Sequence, residues 1–136
     1  LFRYKDYCVE LHSTSILTSR AVSEANPEAV TTVVGCMIEG MKMAVEDPDA
    51  AIAGLAEFEP LTDVPIERRR WQISIDEMIL TDNVVANGIS AVDPERFNLG
   101  IMEVENAYGI PNALAMEDIY TDAYLPPAED RMMPGM

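Results

Sequence analysis

The sequence predicts a helix-rich α/β domain with few short strands, and three observations carry that expectation. Asn26-Pro27, Asp47-Pro48 and Asp93-Pro94 each stand just ahead of an apolar stripe with helical spacing. The 136 residues are 49% hydrophobic, enough to bury one core and too many for a disordered chain. Residues 7–19, YCVELHSTSILTS, mix β-branched, aromatic and polar side chains with partial alternation, which predicts a loop leading into a short strand at about Ser15 to Thr18.

The first long helix is expected over residues 27 to 45. Asn26 is a good N-cap, Pro27 fits the first helical position where its missing N–H costs nothing, and Glu28 suits the positive end of the helix dipole. Val30, Val33, Val34, Met37, Ile38, Met41 and Val45 then recur with a three-to-four-residue spacing, and Val30, Val34, Met37 and Met41 are expected to face inward. Asp47-Pro48 restarts a second helix with Ala51, Ile52, Leu55 and Phe58 as its stripe and Pro60 as its end. A third helix opens near Pro65 and runs to about Leu80, its three arginines forming a solvated face. A fourth runs from Asp93-Pro94 through Phe97, Ile101, Val104 and Tyr108 to Gly109, a stop residue. Pro126-Pro127 ends regular structure, so residues 128–136 are expected to be a flexible tail or to lie draped over a surface, leaving 1–127 as the domain.

Charge narrows the partners. With 24 acidic against 9 basic residues the net charge is −15, which excludes a nucleic-acid backbone, and Arg68-Arg69-Arg70 is too short a basic cluster to outweigh it. No stretch approaches the ~18 apolar residues that cross a bilayer. Cys8 and Cys36 lack metal-ligand spacing; one disulfide is arithmetically open to them, and free buried thiols are the simpler reading. The chain opens at Leu1 with LFRYKDYCVEL, which reads like the middle of a structured segment, so a fragment or processed piece is expected.

The search for chemistry yields little from the residues alone. There is no Gly-rich phosphate loop, paired-His motif, Ser elbow or Cys-rich metal site, so no cofactor and no metal are expected. His12 is the only histidine, and in ELHSTS it stands beside Ser13, Thr14 and Ser15. By itself that stretch reads as an ordinary polar turn, with a hydrogen-bonding loop at a ligand cleft as the alternative. Pairs such as Glu103/Glu105 and Asp76/Glu77 diverge on a helix and read as solvated faces rather than a general acid–base pair. Trp71, Tyr108, Tyr120 and Tyr124 have the means to stack on a flat ligand, but aromatics at helical spacing are ordinarily core.

The order of the segments is more specific than any one of them. Asp6-Tyr7-Cys8-Val9, Leu17-Thr18-Ser19, Asn26-Pro27-Glu28, Gly40 to Ala44, Asp47-Pro48-Asp49-Ala50-Ala51 and the late IYTDAYLPP succeed one another across roughly residues 6 to 127. This series resembles the second half of extracytoplasmic solute-binding proteins of the thiamine-pyrimidine-precursor, alkanesulfonate and nitrate type. The resemblance implies the helix-rich C-terminal part of a two-lobed periplasmic-binding-protein-like fold (type II), with a small ligand held between the lobes. It implies a periplasmic or extracytoplasmic setting and two partners, the small-molecule ligand and the permease of an ABC-type importer. His12, Ser13, Thr14 and Ser15 become the expected ligand-binding residues at the cleft edge. The lobe face left open would be apolar and invite self-association.

Two other functions stay open on the sequence. The same fold serves in an enzyme of thiamine-pyrimidine synthesis, marked in its family by a cysteine-rich segment and an essential histidine, and no cysteine cluster is visible here. A non-catalytic sensor or interaction domain built of helices is the third.

Overall fold

The computed structural model describes residues 11–12, 14–111 and 114–133, and among them the chain is all-helical. In chain order the helices are α1 (Arg20–Ala25), α2 (Pro27–Glu46), α3 (Pro48–Phe58), α4 (Val64–Ser74), α5 (Asp82–Asn87), α6 (Pro94–Tyr108), α7 (Met116–Ile119) and α8 (Ala128–Arg131). The α/β expectation is therefore corrected: no strand and no sheet occur among the described residues, and a two-lobed sheet architecture is not what this chain forms. Ser15 to Thr18, expected to be a strand, are irregular and exposed, Leu17 by 91%. Their β-branched composition is not sufficient, because a strand needs a neighbour for its backbone groups and its side chains.

Proline starts set the helices as their chemistry dictates. Asp47 accepts the backbone N–H of Ala50 at 3.0 Å, Asp63 that of Ile66 at 3.1 Å, and Asp93 those of Glu95 and Arg96 at 2.9 and 3.4 Å. Asn26 is the exception. It ends α1 and begins α2 at once, its N–H bonding the carbonyl of Val22, and its side chain makes no capping bond. The third predicted helix is present but changes pitch: α4 passes into a single π-helical turn over Ile75–Ile79, closed by the bond from Leu80 N–H to the carbonyl of Ile75 at 3.0 Å. Helix α6 stops at Gly109 in the left-handed region at φ 63°, a conformation that glycine adopts without a Cβ penalty.

The buried face of α2 is narrower than its stripe. Val34 and Ile38 are buried at 8% and 4%, whereas Val33 and Met37 are 54% and 55% exposed, so the inward assignment of Met37 is corrected. At 3.6 residues per turn, Val30, Val34, Ile38, Met41 and Val45 fall within an arc of about 80°, and Val33 and Met37 lie beyond its edge. Phe58 and Tyr108, also expected in stripes, are 90% and 81% exposed. Each is the last residue of its helix, where the chain turns away and brings nothing to cover it.

The main core joins Val34 and Ile38 of α2 to Ile89 and Met133, with Val30, Met41, Val45, Leu80, Val84 and Leu125 packed around them. The end of the chain thus contributes directly. Residues 128–133 lie down on the body rather than away from it: Arg131 donates to the carbonyls of Ile89 at 2.6 Å and Pro126 at 2.9 Å, and Lys42 Nζ donates to that of Asp130 at 2.6 Å. The Ile89 N–H returns a bond to the carbonyl of Arg131 at 2.9 Å. Gly88 permits this approach, since its φ is +86° and an added Cβ would stand 3.0 Å from Cβ of Arg131.

Helices α3 and α4 pack on each other and, through α3, on α2. Polar ties hold them as much as burial does. Trp71 Nε1 donates to the carbonyl of Ala44 at 2.8 Å, satisfying a carbonyl in the last turn of α2 that has no partner within the helix, and Arg68 pairs with Asp49 across the α3–α4 seam.

Candidate functional site

The sequence-predicted site residues divide. Ser13 lies outside the described residues. Thr14 and Ser15 are exposed and stand in the irregular run before α1. His12 is placed by a specific contact: its ring meets that of Phe97 at a centroid distance of 5.3 Å and a 50° tilt. Phe97, in the first turn of α6, meets Tyr120 at 5.4 Å and 44°. The three rings form a tilted row, each pair in the range where edge and face electrostatics are favourable. Arg96 Nη2 donates to the carbonyl of Leu11 at 3.4 Å, and Leu11 rests near Gly100, so the segment carrying His12 is laid along α6.

Electrostatics follow from this setting. Burial against the ring lowers the pKa of His12 below 6.5, the Arg96 guanidinium lowers it further, and Asp93 opposes both. Burial raises the phenol of Tyr120 above 10, with Asp122 adding to the shift and Arg131 working against it.

Beyond the far end of the row, Tyr120 opens into a concavity of about 300 Å³ whose other walls are Met116, Glu117, Thr121 and Asp122. Short α7 presents the first two of these, and Asp118 holds its start by accepting the N–H of Ala115 at 3.0 Å. Leu114 N–H donates to Glu105 at 2.7 Å, fixing the connection to α6. Chemically this is an aromatic wall beside two carboxylates and a hydroxyl: a surface for stacking, with acceptors for N–H donors at its margin. His12 reaches it only through Phe97, and neither Thr14 nor Ser15 lines it.

A second and larger hollow, about 510 Å³, runs along the seam of α3 and α4. Ile52, Ala53, Ala56 and Val64 form its floor; Asp49, Glu57 and Arg68 stand on its rim. Among the described residues no group of His, Cys, Asp or Glu is arranged to hold a metal ion. Cys36, expected to be buried, is exposed on α2. No helix of the described residues is long and apolar enough to cross a membrane.

Sequence reasoning placed Phe97 in a core stripe and set Tyr120 aside as one aromatic among several. Nothing local marks either as a partner of His12, because the row joins residues 12, 97 and 120 through the fold alone. No protein-family model, no curated protein and no solved structure matches the chain.

Proposed function

We propose that the chain serves in the solute-capturing component of a membrane importer, outside the cytoplasmic membrane, and that its ligand is small, flat and rich in N–H donors. The observation that carries this reading is the ordered series of segments from Asp6-Tyr7-Cys8-Val9 to IYTDAYLPP, which resembles the solute-binding proteins described above across nearly the whole chain. Two features of the geometry support it. Tyr120 belongs to IYTDAYLPP and, with Glu117 and Asp122, offers a stacking face and acceptors suited to an amino-substituted heteroaromatic ring. Large apolar side chains at the helix ends are also exposed, Phe58 by 90% and Tyr108 by 81%, and offer surface for further polypeptide to cover. The permease belongs to the same proposal.

The test is thermal-shift titration of the protein with an aminopyrimidine, an alkanesulfonate and nitrate in parallel. Stabilisation by a ligand at 100 times its Kd is about 2.7 kcal/mol, a shift of several degrees for a chain of this size. The aminopyrimidine is expected to give that shift, and Tyr120→Ala and Asp122→Asn each to abolish it; Asp122→Asn, which leaves the ring row intact, is expected to keep the unliganded melting temperature within about 2 °C. Silence toward all three solutes, or a shift that survives both substitutions, overturns the reading.

A further inference from the structure

We propose that the α3–α4 seam is a docking groove for a basic amphipathic helix of another protein. The inference is independent of the solute reading, because no residue of the groove belongs to the Tyr120 concavity. Asp49, Ile52, Ala53, Ala56 and Glu57 recur along one face of α3 at the three-and-four-residue spacing, opposite Val64 and Arg68 of α4. Two packed helices that leave such a hollow present the shape that a third helix fills, ridge into groove. From Asp49 to Glu57 the face is about 12 Å long at 1.5 Å per residue, room for about two helical turns and two or three apolar side chains. Small Ala53 and Ala56 at the floor let the backbone of a partner come close.

Charge selects the occupant. Arg68 is already engaged by Asp49 and by Gln72, at 3.0 Å to the latter, so it offers little to an acidic partner. Glu57 is exposed and, among the described residues, has no hydrogen bond or ion pair. The chain that joins the two helices adds Glu59 and Asp63 beside Phe58 and Leu61, which are 90% and 92% exposed. The result is an apolar floor and an apolar end framed by acid, on a chain of net charge −15. A second copy would bring the same sign of charge to the same frame. A partner helix with Leu or Ile at i, i+3 or i+4 and i+7, and Lys or Arg alongside, satisfies both the floor and the rim.

The test uses the whole chain and three synthetic fluorescein-labelled 16-residue helices: Leu-striped with Lys and Arg, the same stripe with Glu, and the basic composition in scrambled order. Fluorescence anisotropy at 50 mM salt is expected to show the basic striped helix binding at least tenfold more tightly than either control, with affinity falling as salt rises. Ala53→Arg, at an exposed position, is expected to abolish binding with circular dichroism unchanged. Glu57→Lys is expected to weaken the basic helix about tenfold and to strengthen the acidic one. Equal binding of all three helices, no binding of the basic striped helix, or binding that survives both substitutions overturns the proposal. So does a dimer in sedimentation that Ala53→Arg dissolves, since the groove would then belong to a second copy.

Discussion

Arg131→Met isolates the device that fastens the end of the chain. Methionine keeps the apolar stem of the arginine, so the contact of Cβ with Gly88 persists while the guanidinium donors disappear. The wild-type guanidinium donates to Ile89 and Pro126 at 2.6 and 2.9 Å, both half-buried bonds. A hydrogen bond from a charged group contributes about 1.5–3 kcal/mol when well buried. Two partly solvated bonds at about 1–2 kcal/mol each give a loss of about 2–4 kcal/mol. The loss falls first on the local opening of residues 126–133, because the Ile89 N–H is held there by the carbonyl of Arg131 at 2.9 Å. Native-state hydrogen exchange reads this directly: the Ile89 amide is expected to exchange about 30-fold to several hundred-fold faster, at tenfold per 1.4 kcal/mol. Met133, 5% exposed in the core, leaves with the segment, so urea unfolding is expected to shift as well. Gly88→Ala is expected to reach the same opened state by another route, by pressing a Cβ toward Arg131. An Ile89 amide that exchanges within threefold of wild type in Arg131→Met would refute the assignment of the fastening to this side chain.

Two further outcomes follow from the faces and charges described above. Ile38→Ala should lower stability by about 2–5 kcal/mol in urea unfolding, whereas its neighbour Met37→Ala should change it by less than about 1 kcal/mol, because 4% and 55% exposure put them on different sides of the α2 arc; equal losses would contradict the orientation of α2. Since His12 has its folded pKa lowered by burial and by Arg96, the unfolded chain takes up the proton first as pH falls. Its contribution is present above pH 6.5 and is lost as pH falls through the folded value, so wild type should destabilise below pH 6.5 more steeply than His12→Phe; parallel stability curves for the two would remove His12 from the ring row.

What the sequence made legible is the punctuation of the helices. Asp47-Pro48 and Asp93-Pro94 act locally: a carboxylate reaches back to an N–H two or three residues on, and proline fixes φ, whatever the rest of the chain does. Gly109 ends α6 for an equally local reason. The short helices α1 and α5 escaped notice because each has six residues, too few to show a period. The strand at Ser15 to Thr18 failed because strand formation depends on partners that a sequence window does not contain. The site was less legible still. His12 stood out as the single histidine, but its ring partner Phe97 is 85 residues away in the chain, and Tyr120, which meets Phe97 in turn, is 108 away.

The open seam of α3 and α4 follows from where the core sits. Helix α2 turns its buried arc toward Ile89, Leu125 and Met133, on the side where α5 and the chain end close over it. The α3–α4 pair packs on α2 through α3 but buries little: α3 buries Ile52 alone, α4 buries no residue, and Ile75 follows only in the π turn. Besides that packing, the bond from Trp71 to Ala44 ties α4 to α2, and the exposed Arg68–Asp49 bridge ties α4 to α3. An exposed bridge contributes about 1 kcal/mol or less, so it adds little to the hold of α4 on α3. A helix laid into the seam would bury Ile52, Ala53, Ala56 and Val64 together and supply the apolar closure that the fold provides for α2. Docking and the order of the α3–α4 pair are then one linked equilibrium, in which whatever steadies the pair also deepens the groove's affinity.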